Sequence, residues 1–317
     1  MPIIRKPQKA PTNPVPDIVL RQQMAKFGPV VGSPKLDGFR CLIQHGPKTS
    51  SLKLFPNKFL NKELTNPLYE GLDGELVIGN PTDPDVFNRT TGALRRIEGE
   101  PDFSYYVFDD FNYPGLFYLE RCEHLCTRLG IDAYNPTSGR IILLEAEWLS
   151  TFEEVIEYES RCVELGYEGA MVRFPKKSYK FGRTTELEAI IHKRKSFVDA
   201  EAVIVGVEEE MLNTNEKFKD AMGHSKRSSH KENKIPKGTL GAFILKSDLW
   251  DETFNCGNMK GVTNEMRKNM WDNRDELIGK TVTFKYQPHG TIEKPRLPTL
   301  KGKESVELLR FREGFDL

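Results

Sequence analysis

Neither sign of charge is in excess: 46 Lys and Arg balance 46 Asp and Glu in a chain of 317 residues. The chain therefore lacks the basic surplus common in nucleic-acid binders, although binding follows the placement of charge as well as its sum. No apolar run reaches membrane-spanning length. The start, Met1 to Val19, is rich in Pro and has no apolar signal-peptide core, so a cytoplasmic protein with no membrane partner is expected. Cysteine is scarce. Cys41, Cys122, Cys126, Cys162 and Cys256 are an odd, scattered set, which fits reduced thiols rather than a disulfide framework. Cys122-x-His124-x-Cys126 invites a zinc reading, but Phe117 to Leu129 reads as helix and no second ligand pair follows at zinc spacing. Internal repeats and long low-complexity tracts are also missing.

What is present fits a globular protein: 38% hydrophobic and 29% charged residues. The length suggests two domains. Residues 1–16 read as a loose leader, 17–199 as a mixed unit of strands and helices, and 200–317 as a small β-barrel. In the mixed unit, Cys41-Leu42-Ile43, Leu72 to Gly79 and Tyr105 to Phe111 have strand character. Thr151 to Leu165 has helical spacing, an N-cap at Ser150 or Thr151, acidic residues in its first turn and Gly166 as a stop. After Asp199 the texture changes. Ala202–Val207, Leu240–Leu245 and Thr281–Tyr286 are short strands, interrupted by a helix over Asn264–Ile278. Leu212 to Gly238, rich in Lys, Arg and His, reads as a solvated loop or as a strip that tracks a phosphate backbone.

The chemistry gathers around Lys35, in Ser33-Pro34-Lys35-Leu36-Asp37-Gly38-Phe39-Arg40. Lysine is a nucleophile only as the neutral amine, and its reference pKa is about 10.4, so a catalytic lysine needs desolvation or neighbouring cations. Asp37 can orient it, Gly38 allows close backbone approach, and Arg40 can clamp phosphate with its planar fork. Alone, this run also reads as a charged hairpin. Four further segments follow in order: Asp73-Gly74-Glu75, Phe108-Asp109, Glu168 to Arg173, and Lys193-Arg194-Lys195 with Asp199. Together they hold the parts for nucleotidyl transfer. Glu75 and Glu168 can hold a hard divalent cation. Lys193 and Lys195 can contact an α-phosphate, and Phe108 can stack on a purine.

In this order the segments resemble the covalent nucleotidyltransferase superfamily, and within it the small ATP-dependent DNA ligases of bacteriophages. Lys35-Leu-Asp37-Gly38-Phe-Arg40 looks like motif I, Asp73-Gly74-Glu75 like motif III, and Tyr106-Val-Phe108-Asp109 like motif IIIa. Glu168-Gly169-Ala-Met-Val-Arg173 looks like motif IV, and Lys193-Arg-Lys195 with Asp199 like motif V. Phe87 to Gly92, Tyr179 to Arg183 and Pro295 to Pro298 extend the likeness, which covers roughly residues 30–310.

The resemblance implies an α+β fold: a nucleotidyltransferase (ATP-grasp-like adenylation) domain of antiparallel sheets with helices, followed by an OB-fold DNA-binding barrel. The implied reaction has three steps. Lys35 takes AMP from ATP, AMP passes to the 5′-phosphate of a nick, and the 3′-hydroxyl attacks that phosphate to seal the strand. ATP and Mg²⁺ (or Mn²⁺) are the implied cofactors. The implied partner is nicked duplex DNA, handled by a monomer in DNA repair, replication or recombination, with a hinge near Asp199. Ser33, Pro34, Lys35, Leu36, Arg40, Glu75, Phe108, Glu168, Arg173, Lys193 and Lys195 are the implied nucleotide-binding residues, with catalytic roles for Lys35, Asp37, Lys193 and Lys195. Arg183 and Arg296 are the implied DNA contacts, and Lys226, Arg227 and Lys231 are the DNA contacts expected of the basic strip.

Two departures stand out. Ser50 lies where an arginine is expected, with Lys48 or Lys53 as possible substitutes, and Lys301-Gly302-Lys303 stands where an arginine is common. NAD-dependent ligases share K-L-D-G but carry an extra N-terminal domain and a four-cysteine zinc module, which this cysteine pattern does not match. RNA ligases, capping enzymes and an inactive nick-binding protein are the remaining alternatives.

Overall fold

Leu72–Ile78 forms a strand inside a six-stranded sheet in the computed structural model of this chain. The structure describes residues 5–301 except Ala133, Ser196, 220–224, Ser229, Lys231, Lys260, 289–290 and Ile292; of Lys219 and Lys226 only the backbone is described. The strand order is Pro47–Thr49, Phe39–Ile43, Leu72–Ile78, Phe103–Asp110, Ile141–Leu143, Thr137–Ser138. Side chains alternate across a strand. Leu72 and Leu76 therefore face one way, with Cys41 and Ile43 on one neighbour and Tyr105 and Val107 on the other. That face is covered by helices Lys58–Leu64 and Tyr118–Leu129 through Leu60, Leu64 and Leu125, all with 0 or 1% exposure. The opposite face carries Arg40, Asp73 and Glu75 between two small apolar clusters, one around Val77 and one around Leu42.

A second sheet has four antiparallel strands: Ile191–Arg194, Ala170–Arg173, Val30–Pro34 and Glu147–Leu149. Helices Asp17–Phe27 and Phe152–Glu164 back it through Leu20, Met24, Phe152 and Val155. Thr151 caps the second helix by accepting from Glu154 N, with Glu153 and Glu154 in the first turn, as its sequence predicts. The helix Asp17–Phe27 carries no side-chain cap at Pro16, so its start leaves no capping signal in the sequence. Both sheets lie in one compact unit, which extends to Lys195.

The second unit begins at Ser196. The sequence boundary after Asp199 falls inside a strand, Val198–Asn213, whose first residues pair with Thr281–Gln287. Six strands run in the order Phe254–Cys256, Lys234–Lys246, Val198–Asn213, Thr281–Gln287, Arg296–Leu300, Asn258–Met259. The two edge strands are separated in sequence only by Gly257, so the sheet must curl until its edges nearly meet. Space for this is tight: a Cβ on Gly257 would lie 3.0 Å from Gly241 O. Phe243, Leu245, Phe284 and Leu300 fill the barrel, and helix Asn264–Asp272 adds Met270. A 3₁₀ turn, Arg274–Glu276, replaces the predicted helical continuation to Ile278.

Two sequence readings change. The leader is not loose where it is described. Gln8–Lys9 is a strand parallel to Gly182–Arg183, and Pro7, Gln8 and Val15 are buried. A two-residue strand held by a distant partner leaves no periodic signal. The basic loop is also partly built. The flanking strands extend through Asn213 and from Lys234, and Lys217–Lys219 pairs with Ser225–Arg227 as an antiparallel ribbon. Exposure of both faces removes the alternation that marks a half-buried strand.

All five cysteines are free thiols. Cys122 and Cys126 lie on the helix Tyr118–Leu129, and no group of three or more His, Cys, Asp or Glu side chains among the described residues could hold a metal ion. Among those residues no helix is long and apolar enough to cross a membrane.

Candidate active site

Three strands of the four-stranded sheet set one wall of a cleft. Their register aligns Ser33 with Met171 and Met171 with Lys193, and all three line the cleft. Two residues further along each strand, the same face carries Lys35 and Arg173, which line it as well. The ladder continues past Pro34: Lys35 N donates to Gly169 O at 2.9 Å and Glu168 N to Lys35 O at 3.1 Å. Gly169 has φ +144°, and a Cβ there would lie 2.2 Å from Arg194 O, so only glycine lets these strands meet.

Leu36-Asp37-Gly38 then crosses to the six-stranded sheet. Gly38 is needed for the crossing, since a Cβ would come within 2.2 Å of Leu76 O. Arg40 pairs in register with Glu75 on the face opposite Leu76, and both line the cleft. Phe108 arrives by a different device. Asp73 opposes Asp109 and Gly74 opposes Val107, so Phe108 is the extra residue of a β-bulge, which re-aims it into the cleft.

Lys35 Nζ donates to Glu168 Oε2, and Lys195 Nζ donates to Glu168 Oε1. Burial raises the Glu168 pKa, but the Lys35 and Lys195 ammoniums outweigh it and hold the carboxyl below its ordinary value. Burial and the Lys35 charge lower the Lys195 pKa against the pull of Glu168 and Asp37. Asp37 is itself buried. Lys193 Nζ donates to Thr12 O at 2.6 Å.

Arg40 differs from a free phosphate clamp. Its Nε and Nη2 donate to Asp73 Oδ1 and Oδ2 at 2.6 and 2.7 Å, a bidentate pair with a fully buried carboxylate. Tyr179 Oη donates to Asp73 Oδ2 at 2.6 Å. The Arg40 fork is committed to the protein, and its guanidinium lies 4.5 Å from the Phe108 ring centroid. Arg173 lies 5.0 Å from the same ring. Arg173 is 4% exposed, donates to Ser33 Oγ at 3.1 Å, and has no carboxylate partner among the described residues. Its Nε is buried without any partner. Asp109, the neighbour of Phe108, is taken by Arg121 at 2.7 and 3.0 Å.

Glu75 has no hydrogen-bond or ion-pair partner among the described residues. Burial pushes its carboxyl up to about 7, opposed by Arg40 and Lys35 and reinforced by Glu168 and Asp73. An unpartnered carboxyl in a cleft of cations fits a cation brought in with phosphate oxygens. It does not fit an all-protein cage, because Glu168 is already shared by two lysines.

Ser50 lines the cleft, whereas Lys48 is buried and Lys53 is exposed, and neither lines it. Two cations that line it were not assigned to it from sequence. Arg183, read as a DNA contact, lines the cleft, and so does Lys9, which lay in the supposed leader. The remaining DNA-contact residues lie in the second unit. Arg227 Nη1 donates to Asn215 O just before the ribbon, Lys226 is on the ribbon backbone, and Arg296 opens the strand Arg296–Leu300 opposite Gln287. Lys231 lies outside the described residues, as do Gly302 and Lys303; Lys301 pairs with Asp199.

The DNA ligase OB-like domain family model matches residues 233–303. The whole chain is similar to the DNA ligase-adenylate of Chlorella virus. The identity is 29% over 94% of this chain and 98% of that one, with a TM-score of 0.53. A second structure of that ligase-adenylate gives 28%, 99%, 100% and 0.53. A Lig E DNA ligase with a minimal DNA-binding scaffold shares the fold at 20% identity, covering 94% and 98% of the two chains, TM-score 0.64. No curated protein matches.

Proposed function

From the likeness of this chain to the DNA ligases, we propose that it is an ATP-dependent DNA ligase that seals 3′-hydroxyl/5′-phosphate nicks in duplex DNA. The observation that carries the reading is Lys35 held by Glu168 at the crossing between two sheets, in a cleft with Lys193, Arg173 and an unpartnered Glu75.

Lys35 Nζ, as the neutral amine, attacks the α-phosphorus of ATP. A P–N bond forms, the α–β P–O bond breaks, pyrophosphate leaves with the electron pair, and the Nζ proton passes to water. Glu168 has a depressed proton affinity, so it orients Lys35 rather than storing that proton. Lys193 and Lys195 stabilise charge on the α-phosphate, and Phe108 gives the base an apolar contact. The 5′-phosphate oxygen of the nick then attacks the phosphorus of lysyl–AMP: a P–O bond forms, the P–N bond breaks, and Lys35 leaves as the amine by taking a proton from water. Finally the 3′-hydroxyl attacks the adenylated 5′-phosphorus: the phosphodiester P–O bond forms, the P–O bond to AMP breaks, AMP leaves with the electron pair, and the hydroxyl proton passes to water. Glu75, with Glu168 once it is released from a lysine, would hold a Mg²⁺ or Mn²⁺ ion, which supplies charge neutralisation at phosphate oxygens. The barrel unit would grip duplex DNA, with the monomer as the working form, in the cytoplasm.

The test uses labelled ATP, NAD and GTP with Mg²⁺ on nicked DNA and nicked RNA duplexes. Label on the wild type from ATP only, none on Lys35→Ala, and sealing of nicked DNA are expected. Lysyl–GMP, or label that persists in Lys35→Ala, would overturn the reading.

A further inference from the structure

The N-terminal strand Gln8–Lys9 is fixed by groups from three parts of the first unit. Gln8 N donates to Tyr179 Oη at 2.9 Å, Arg40 Nη2 donates to Gln8 O at 3.3 Å, and Thr184 N donates to Lys9 O at 2.8 Å. These bonds use the backbone, so the strand does not need a lysine at position 9. Its side chain nevertheless lines the cleft with Lys35, Lys193 and Arg183, and its ammonium has no partner among the described residues.

Stability alone argues against a lysine here. Lys9 is paired in register with Arg183, and like charges facing across strands repel. Burial, then Arg183, Arg40 and Lys6, all push its pKa down, and no carboxylate is among its influences. Arg40 is already compensated by Asp73, and Glu75 takes its own cationic influence from Arg40 and Lys35. A lysine in a cleft of cations, with no carboxylate among the charged groups that act on it, is at ease only when an anion enters.

We propose that Lys9 is a phosphate-binding residue of the cleft, reaching the phosphate of a bound substrate from the N-terminal strand. This rests on the nucleotidyl-transfer reading. The phosphate has two possible sources, the triphosphate of ATP and the adenylated 5′-phosphate of a nick.

Both sources are tested with the full chain at fixed ionic strength. One arm follows lysyl–AMP formation over a range of ATP concentrations. The other follows sealing of a pre-adenylated nicked duplex. Lys9→Met keeps the aliphatic stem and removes the charge; Lys9→Arg keeps the charge; thermal melting checks the fold of each. Loss of one charge-assisted contact is expected to cost about tenfold in Lys9→Met, with Lys9→Arg close to wild type. A fall in the ATP arm assigns the triphosphate, a fall in the sealing arm assigns the 5′-phosphate, and a fall in both assigns a shared site. Lys9→Met at the wild-type level in both arms, or Lys9→Arg falling as far as Lys9→Met, overturns the inference. A wild type that forms no lysyl–AMP overturns the nucleotidyl-transfer reading and this inference with it.

Discussion

Lys35 and Lys195 divide one carboxylate between them, each donating to a different oxygen of Glu168. The two ammoniums would repel without it. Their common partner fixes the spacing between the nucleophile and a lysine from 160 residues further along the chain. Glu168→Gln offers one acceptor oxygen and turns an NH₂ donor towards the other lysine. Lysyl–AMP formation is expected to fall by about 10²-fold, the cost of removing a positioned electrostatic group. Labelling of this variant at the wild-type rate would remove Glu168 from the mechanism.

Arg40 and Asp73 form the polar brace beneath the cleft. Burial lowers the Arg40 pKa, but the adjacent carboxylate more than offsets this and raises it. Asp73→Ala leaves Arg40 mostly buried, with Gln8 O as its remaining acceptor, and is expected to cost about 3 kcal/mol of stability. Tyr179→Phe removes one hydrogen bond to the same carboxylate and should cost about 1–3 kcal/mol. Urea unfolding of the single and double variants measures both values, and a strictly additive double variant would show that the three groups do not act as one network.

His192 makes stability fall in mild acid. Burial, then the Arg194 charge, lowers its pKa to about 4. Gln23 Nε2 donates to Glu186 O, which turns Gln23 Oε1 towards His192 Nε2 at 2.7 Å and places the ring proton on Nε2. The unfolded chain takes up a proton near pH 6.5 and the folded one does not. This stability is therefore complete above about pH 6.5, is lost as pH falls towards 4, and changes no further below that. The full change is on the order of 3 kcal/mol. Unfolding of wild type and His192→Gln between pH 4 and 7.5 should show a shallower fall in the variant; parallel curves would exclude His192 as the source.

The basic ribbon of the second unit gives a salt-dependent test. Lys217→Ala with Arg227→Ala removes two cations from the paired strands. If both meet phosphates, the slope of log K for nicked duplex against log salt should become shallower by about 2. An unchanged slope makes the ribbon a bystander. Deleting the ribbon should weaken nick binding in the same direction.

The sequence by itself determined the order of the chemical segments and most of the elements that carry them. Alternation marked Leu72–Ile78, a cap and helical spacing marked Phe152–Glu164, and the run from Ser33 to Arg40 marked the nucleophile. These signals are local, set by side-chain period and by residues within a few positions of each other. Partnership was decided only by tertiary structure. The Arg40 fork looked free for phosphate, yet Asp73 from a neighbouring strand holds it. Phe108 owes its aim to a bulge that exists only once two strands are paired. Lys9 looked like part of a loose leader, and it became a wall of the cleft because Gly182–Arg183 supplies its hydrogen-bonding partner. A charge in a sequence has no partner assigned to it; the packing of distant strands decides which charges are compensated and which remain for a ligand.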